Sequence, residues 1–267
     1  MVRAPLLSIV LFALVPNSIT AQESQQPRET RTETVPSYEE ATSRTESTAG
    51  FRTLQKIGLA FHGYHDIFGR FPPAVLYGPD GKTPYSWRVE LLPVLKHYAY
   101  QIDPQTDIST RQAYDAAIAA CGYDTLQPWD SPHNLKVLGT MPEAYRHPSD
   151  KDGSTHAGFS AITGSGTVFD PATTSSYTDI TGWPSSTLMV AEYQAREPWT
   201  KPVDIAYSHN AAVCRFGGFS QHGFLALSAD GAVHFVTDPV MPNDLRAFIS
   251  TDQFDVFAIP GIPHRYR

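Results

Sequence analysis

The chain has 267 residues, 41% hydrophobic and 18% charged, with 22 prolines and 18 glycines. That length and balance suit one large, loop-rich folded domain that needs neither metal nor disulfide staples to bury a core. A formal net charge of −7, with no long run of Lys and Arg, argues against a nucleic-acid partner and against an anionic membrane surface.

The first elements are read in chain order. Arg3 precedes an apolar run over residues 6–15, which Pro16 breaks, and Ala21 supplies a small residue for cleavage. Ten apolar residues are too few to span a bilayer, so residues 1–21 read as a removable signal peptide, with export to the periplasm or the extracellular space. Losing Arg3, the leader's only charge, would take the net charge from −7 to −8. Residues 22–47 are polar, carry Pro27 and Pro36, and are expected to form a disordered tether ahead of a domain at 48–267.

Leu54, Ile57, Phe61, Tyr64 and Phe68 then recur every three or four residues, which predicts an amphipathic helix from about Thr48 to Phe68, closed by Gly69 and the Pro72-Pro73 pair. Residues 74–77 and 85–87 flank a Gly-Pro-Asp-Gly turn and read as two short strands. Residues 87–96 are apolar at helical spacing, limited by Pro93, and residues 109–120 form a second clear helix. The second half reads as sheet: residues 159–169, 187–193, 224–228 and 232–236. Asp230-Gly231 predicts a tight hairpin turn with both residues at positive φ. Residues 243–250 suit a short closing helix. Helices first and strands later predict an α+β fold.

Several blocks resemble one family in order. They are Leu54 through Asp66 followed by Gly69 to Pro73, then Tyr85-Ser-Trp87-Arg88-Val89 with Leu91-Leu-Pro93, and Pro128-Trp129-Asp130-Ser-Pro132. Tyr145-Arg-His147-Pro148-Ser149-Asp150, Gly164 to Thr167, Leu188 to Glu192, Pro198-Trp199 to Pro202, and Phe224 through Asp230-Gly231 continue the series. Together they resemble the bacterial prepilin-type H-X9-DG family, domain of unknown function 1559, over roughly residues 50–250. The resemblance implies a pilin-like core, a long N-terminal helix packed on an antiparallel sheet with extra short helices and long loops, and no established chemistry; members are sometimes labelled solute-binding. Three features depart from the family pattern. A Sec-type leader and polar tether replace the prepilin leader and its long apolar helix. Ser220 stands ten residues before Asp230 where a histidine is expected, with His222 nearest. His147 precedes the Pro-Ser-Asp block where a cysteine is usual.

The candidate chemistry is sparse. His62 and His65 lie one helical turn apart beside Asp66, a spacing that can share a metal, although packing explains them more simply. Asp150, Asp152 and Ser154 begin like a calcium loop, but Ala161 occupies the position of the bidentate acid, and an Asx-turn is the cheaper explanation. There is no nucleophile elbow, phosphate loop or dinucleotide fingerprint; Gly164-Ser165-Gly166 has the wrong spacing. Trp87, Trp129, Trp183 and Trp199 either stack on sugars or cap the core. Arg88 and Glu192 stand in apolar company and are expected to pair with each other. Cys121 and Cys214 are the only cysteines, and in an oxidising compartment they are expected to form a disulfide.

The first reading is therefore a secreted, non-enzymatic, pilin-like module acting on an unknown protein or surface ligand, with no cofactor and no stable anchor after processing. It would be a monomer or small oligomer, because the single apolar face of its first helix is expected to lie on the sheet. An extracellular small-ligand or glycan-binding protein is the second reading. A metal-assisted hydrolase built on His62, His65 and nearby acids is the third.

Overall fold

The computed structural model describes residues 38–97, 110–150, 153–173, 175–194, 197–212, 215–220 and 222–252, with side chains from residue 48. The expected leader and most of the expected tether lie outside these residues, as do Asp152 and Cys214.

Helix α1 runs from Tyr38 to Phe68. It begins ten residues before the expected start, so residues 38–47 are helix rather than tether. The segment has no proline to interrupt a helix. Lacking an apolar stripe, it gave no periodic signal. The stripe that did predict the helix is buried as expected: Leu54, Ile57 and Phe61 are fully enclosed, and Tyr64 nearly so. This face packs on strands β6 (Gly223–Ser228) and β7 (Val233–Thr237). Gly58 permits the close approach, because a Cβ there would come within 2.9 Å of Leu227 Cδ1.

Strands β1 (Val75–Tyr77) and β2 (Pro84–Ser86) form a hairpin, followed by the short helices α2 (Trp87–Glu90) and α3 (Leu92–Leu95). Ser86 caps α2 by accepting the Arg88 amide, and Pro93 sits at the start of α3, where its missing N–H costs nothing. Helices α4 (Thr110–Ala120) and α5 (Leu135–Leu138) complete the first half.

The second half holds β3 (Phe159–Thr163), β4 (Leu188–Glu192), β5 (Ile205–Ala206), β6 and β7, in the spatial order β5-β3-β4-β6-β7. The class is α+β, but the sheet is mixed rather than wholly antiparallel, since β5 runs parallel to β3. The register explains this. Glu192 at the end of β4 lies opposite Phe159 at the start of β3, so the chain re-enters beside β3 from the same end.

The sheet is covered on both faces. Phe159, Ala161, Leu225, Leu227 and Val233 join the α1 core. Ile162, Leu188, Phe224, Ala226 and Val236 form a second core with Leu245, Phe248 and Ile249 of helix α6 (Pro242–Ile249). An irregularity in the β4–β6 register between Leu188 and Val190 sends these two residues to opposite cores, although a regular strand would place them on one face.

The β6–β7 turn differs from expectation. Ser228 and Ala232 bracket a three-residue loop, in which the Gly231 amide donates to Ser228 O (2.9 Å) and the Ser228 amide to Ala232 O (2.9 Å). Gly231 has φ +86°, whereas Asp230 is not at positive φ. This is the three-residue solution, a turn closed by one left-handed glycine, in place of the two-residue link. Asp230 Oδ1 accepts from the Ala232 amide (3.0 Å), which holds the loop open by that extra residue.

Candidate functional site

The buried charges come first, because each must have a partner. Arg88 is 2% exposed and donates from Nη2 to Asp204 Oδ1 (2.8 Å), Phe159 O (2.9 Å) and Ser160 Oγ (3.2 Å). Asp204 also accepts from Trp87 Nε1 (3.1 Å) and from the Ala161 amide (2.9 Å). The expected partner of Arg88 was Glu192, and that pairing is not made. Glu192 Oε1 instead meets His147 Nε2 at 2.6 Å, while its Oε2 accepts the Leu225 amide at 2.8 Å. His147 Nδ1 accepts the Ser149 amide (3.1 Å), so the ring is the Nε2–H tautomer, and its face stacks on Phe219 at 3.7 Å between centroids. In both clusters the polar groups are spent on tying loops to strands.

The loop after His147 is tied by a side-chain bond. Ser154 Oγ donates to Asp150 Oδ2 (2.5 Å), and Arg146 lies 3.9 Å from the same oxygen. Pro148 and Ser149 are half-buried, and Asp130 is exposed.

His62 meets the hydroxyl of Tyr177 through Nδ1 and at 2.9 Å through Nε2, and desolvation lowers its pKa below the usual histidine value, against the pull of Asp230 and Asp66. His65 packs its ring on Tyr177 and Phe71. Among the described residues no group of three or more His, Cys, Asp or Glu is arranged to hold a metal ion. Ser228, Asp230 and His234 also converge, but in the wrong order for a nucleophile. The fully buried Ser228 Oγ donates to Asp230 Oδ1 (2.6 Å) and lies 3.0 Å from His234 Nε2. A catalytic serine gives its proton to the imidazole, with the carboxylate behind the imidazole; here the carboxylate takes the serine proton directly.

Trp87 and Trp199 are fully buried, with their indole N–H groups bonded to Asp204 and to Leu138 O (3.2 Å), so neither is a sugar platform. Trp183 is 36% exposed, and the half-buried Trp129 carries Lys201 over its ring. Cys121 is a free, buried thiol whose pKa burial pushes up; its expected partner Cys214 lies outside the described residues. It sits at the C-terminus of α4, enclosed by the first core.

The place where unspent polar groups converge is elsewhere. A cleft of about 330 Å³ opens between the end of α1, the β1–β2 hairpin and α4, with Tyr64, Arg70, Tyr77, Tyr85, Arg111 and Asp115 among its lining residues. Two of these lining residues are tied to the fully buried Glu90, which accepts from Arg111 Nη1 (2.5 Å) and from Tyr85 OH (2.9 Å). Burial, and then the Glu90 carboxylate, push the phenols of Tyr64 and Tyr85 above their ordinary range, so both stay neutral donors. Arg111 also holds Asp115 through Nε (2.8 Å) and Nη2, and its side chain is 38% exposed at the rim. Tyr77 is 59% exposed, and Arg70 is exposed with no hydrogen-bonded partner among the described residues.

A family model, SBP_bac_10, described as a protein of unknown function (DUF1559), matches residues 51–199. The chain belongs to this family. No curated protein and no solved structure matches it. The matched DUF1559 segment contains every lining residue of the cleft, together with the Trp87, Trp129, His147 and Glu192 blocks, and ends at Trp199; the Phe224–Gly231 block lies beyond it.

Sequence reasoning missed Asp204, Glu90, Tyr177 and the cleft. The Arg111–Asp115 spacing of four residues on a helix was the one signal available for the cleft. Asp204 is a lone carboxylate between Val203 and Ile205, and nothing local marks it.

Proposed function

We propose that this DUF1559 protein is an exported, non-enzymatic binding module in which a pilin-like core presents one small-ligand cleft. The reading rests on the cleft beside α4, where a cation, an aromatic ring and a carboxylate oxygen remain available, while the buried charges of Arg88, Asp204 and Glu192 are held by internal partners. Concave sites with a few convergent polar groups are where small ligands bind. The leader-like start supports export, and no helix of the described residues is long and apolar enough to cross a membrane. The small-ligand reading is favoured over a flat protein-contact surface because of that concavity. It is favoured over a metal-assisted hydrolase because His62 is bonded to the Tyr177 hydroxyl and His65 packs its ring on Tyr177 and Phe71.

The test is a nuclear magnetic resonance titration of the purified mature protein with a mixed panel of sugars, organic acids and amino acids, alongside hydrolase substrates and metal analysis. Perturbations grouped on residues 64–85 and 111–115 without turnover are expected. Turnover of any substrate, or a panel that leaves those signals unmoved, would sink the reading.

A further inference from the structure

The groups left open in the cleft are chemically specific. Glu90 and Asp115 share the Arg111 guanidinium, so the hydrogen bonds of Arg111 are already taken from within the protein. Arg70 lines the same cleft with no hydrogen-bonded partner among the described residues. Two cations thus balance two carboxylates, and Arg70 is the cation whose hydrogen bonds stay open; a guanidinium prefers a planar carboxylate that it can grip with two parallel hydrogen bonds. The whole chain carries a formal charge of −7, which repels a polyanion at long range and favours a ligand with a single anionic group.

Two further groups restrict the rest of the ligand. Tyr77 stands 59% exposed on β1, and Val75, two residues earlier on the same strand face, is 36% exposed; together they offer a flat apolar platform. Asp115 Oδ1 is taken by Arg111, whereas Oδ2 carries no hydrogen bond among the described residues. A free carboxylate oxygen at a rim calls for a donor on the ligand, which an aromatic or aliphatic acid without hydroxyls does not supply. At about 330 Å³ the cleft lies at the small end of ligand sites, with room for a ligand of about one or two rings.

We propose that the cleft binds a hexuronic acid unit, with the sugar carboxylate on Arg70, one apolar face of the ring on Tyr77 and a ring hydroxyl donating to Asp115 Oδ2. This rests on the binding reading above and names the ligand class for that same site. No bond is made or broken; the site holds the sugar and releases it.

The experiment is isothermal titration of the mature protein with galacturonate, glucuronate and digalacturonate, against galactose, benzoate and cyclohexanecarboxylate. Saturable uronate binding is expected in the range of about 0.1–10 mM, with galactose and the hydroxyl-free acids weaker by about tenfold or more. Arg70→Gln and Tyr77→Ala should each weaken uronate binding by about tenfold and leave the thermal midpoint unchanged, since both side chains are at the surface. Arg70→Lys should recover part of the loss, because it restores the charge but not the fork. The proposal is overturned by uronates that do not bind at about 20 mM, by binding that Arg70→Gln and Tyr77→Ala leave intact, or by benzoate binding as tightly as the uronates. If another panel compound shifts the cleft signals while uronates do not, the ligand class fails and the binding reading stands. If no panel compound shifts them, both fail.

Discussion

Arg88 Nη2 lies 2.8 Å from Asp204 Oδ1, with both side chains 2% exposed, and the two residues join elements 116 positions apart in the chain. The pair pins α2 to the start of β5 and, through Phe159 O and Ser160 Oγ, to β3. Losing one partner leaves a desolvated charge, so Asp204→Ala should destabilise by about 3–5 kcal/mol, whereas the double change Arg88→Met with Asp204→Leu should recover much of that loss. Urea denaturation of the three proteins measures both effects; equal losses in the single and double variants would show that packing, and not the orphaned charge, sets the cost.

The Gly231 position makes a sharper demand on shape. Its φ of +86° disfavours any side chain, and a Cβ there would come within 2.6 Å of His62 Nε2 on α1. Gly231→Val is expected to destabilise by more than about 1 kcal/mol, while Asp230→Asn, at ordinary φ, should cost less. Thermal midpoints compare them, and an unchanged midpoint for Gly231→Val would mean that the turn relaxes to another form.

What the sequence made legible follows from which interactions are local. The α1 stripe from Leu54 to Phe68 and the β6–β7 hairpin each depend on residues a few positions apart, and both could be read from spacing. The start of α1 at Tyr38 could not, because a polar helix segment leaves no period. The turn type failed for a related reason: the Leu227–Val233 pairing fixes a longer loop than the Asp-Gly dipeptide alone suggests. Partner choice was the least legible. Burial of Arg88 and Glu192 was readable from their apolar neighbours, but Asp204 and His147 reach them only through the completed sheet. The cleft is assembled in the same way, from a helix end, a hairpin and a helix that lie far apart in the chain.

Asp80 supplies a pH dependence in the hairpin that carries Tyr77. Its carboxylate accepts from Thr83 Oγ1 (2.6 Å) and from the Thr83 and Lys82 amides (3.0 Å each), and these bonds lower its pKa to about 2. A depressed carboxyl stabilises the fold above its unfolded value, near 3.8, and the contribution disappears as pH falls through about 2. Nuclear magnetic resonance titration of the Asp80 side chain should give a midpoint near 2, with the Tyr77 and Thr83 signals shifting in the same window. A midpoint close to 3.8 would mean that the turn bonds are absent in solution.

His62 gives the opposite end of the pH scale. Desolvation outweighs the attraction of Asp230 and Asp66, so its pKa falls below the reference value of 6.5. The unfolded chain then binds a proton more readily than the folded one, and the sign follows: the contribution is complete above about 6.5 and is lost as pH drops below it, until the folded ring also protonates. Protonation also removes the acceptor nitrogen that faces the Tyr177 hydroxyl, which loosens the contact between α1 and the 3₁₀ turn at Tyr177–Asp179. The chain has ten histidines, so the test is a difference. Urea denaturation of the wild type and of His62→Gln at pH 7.5 and pH 5.5 should show the wild type losing more stability on acidification, because glutamine keeps a hydrogen bond to Tyr177 without titrating. Equal losses would place the His62 pKa at its ordinary value and remove the electrostatic reason for its position over Gly231.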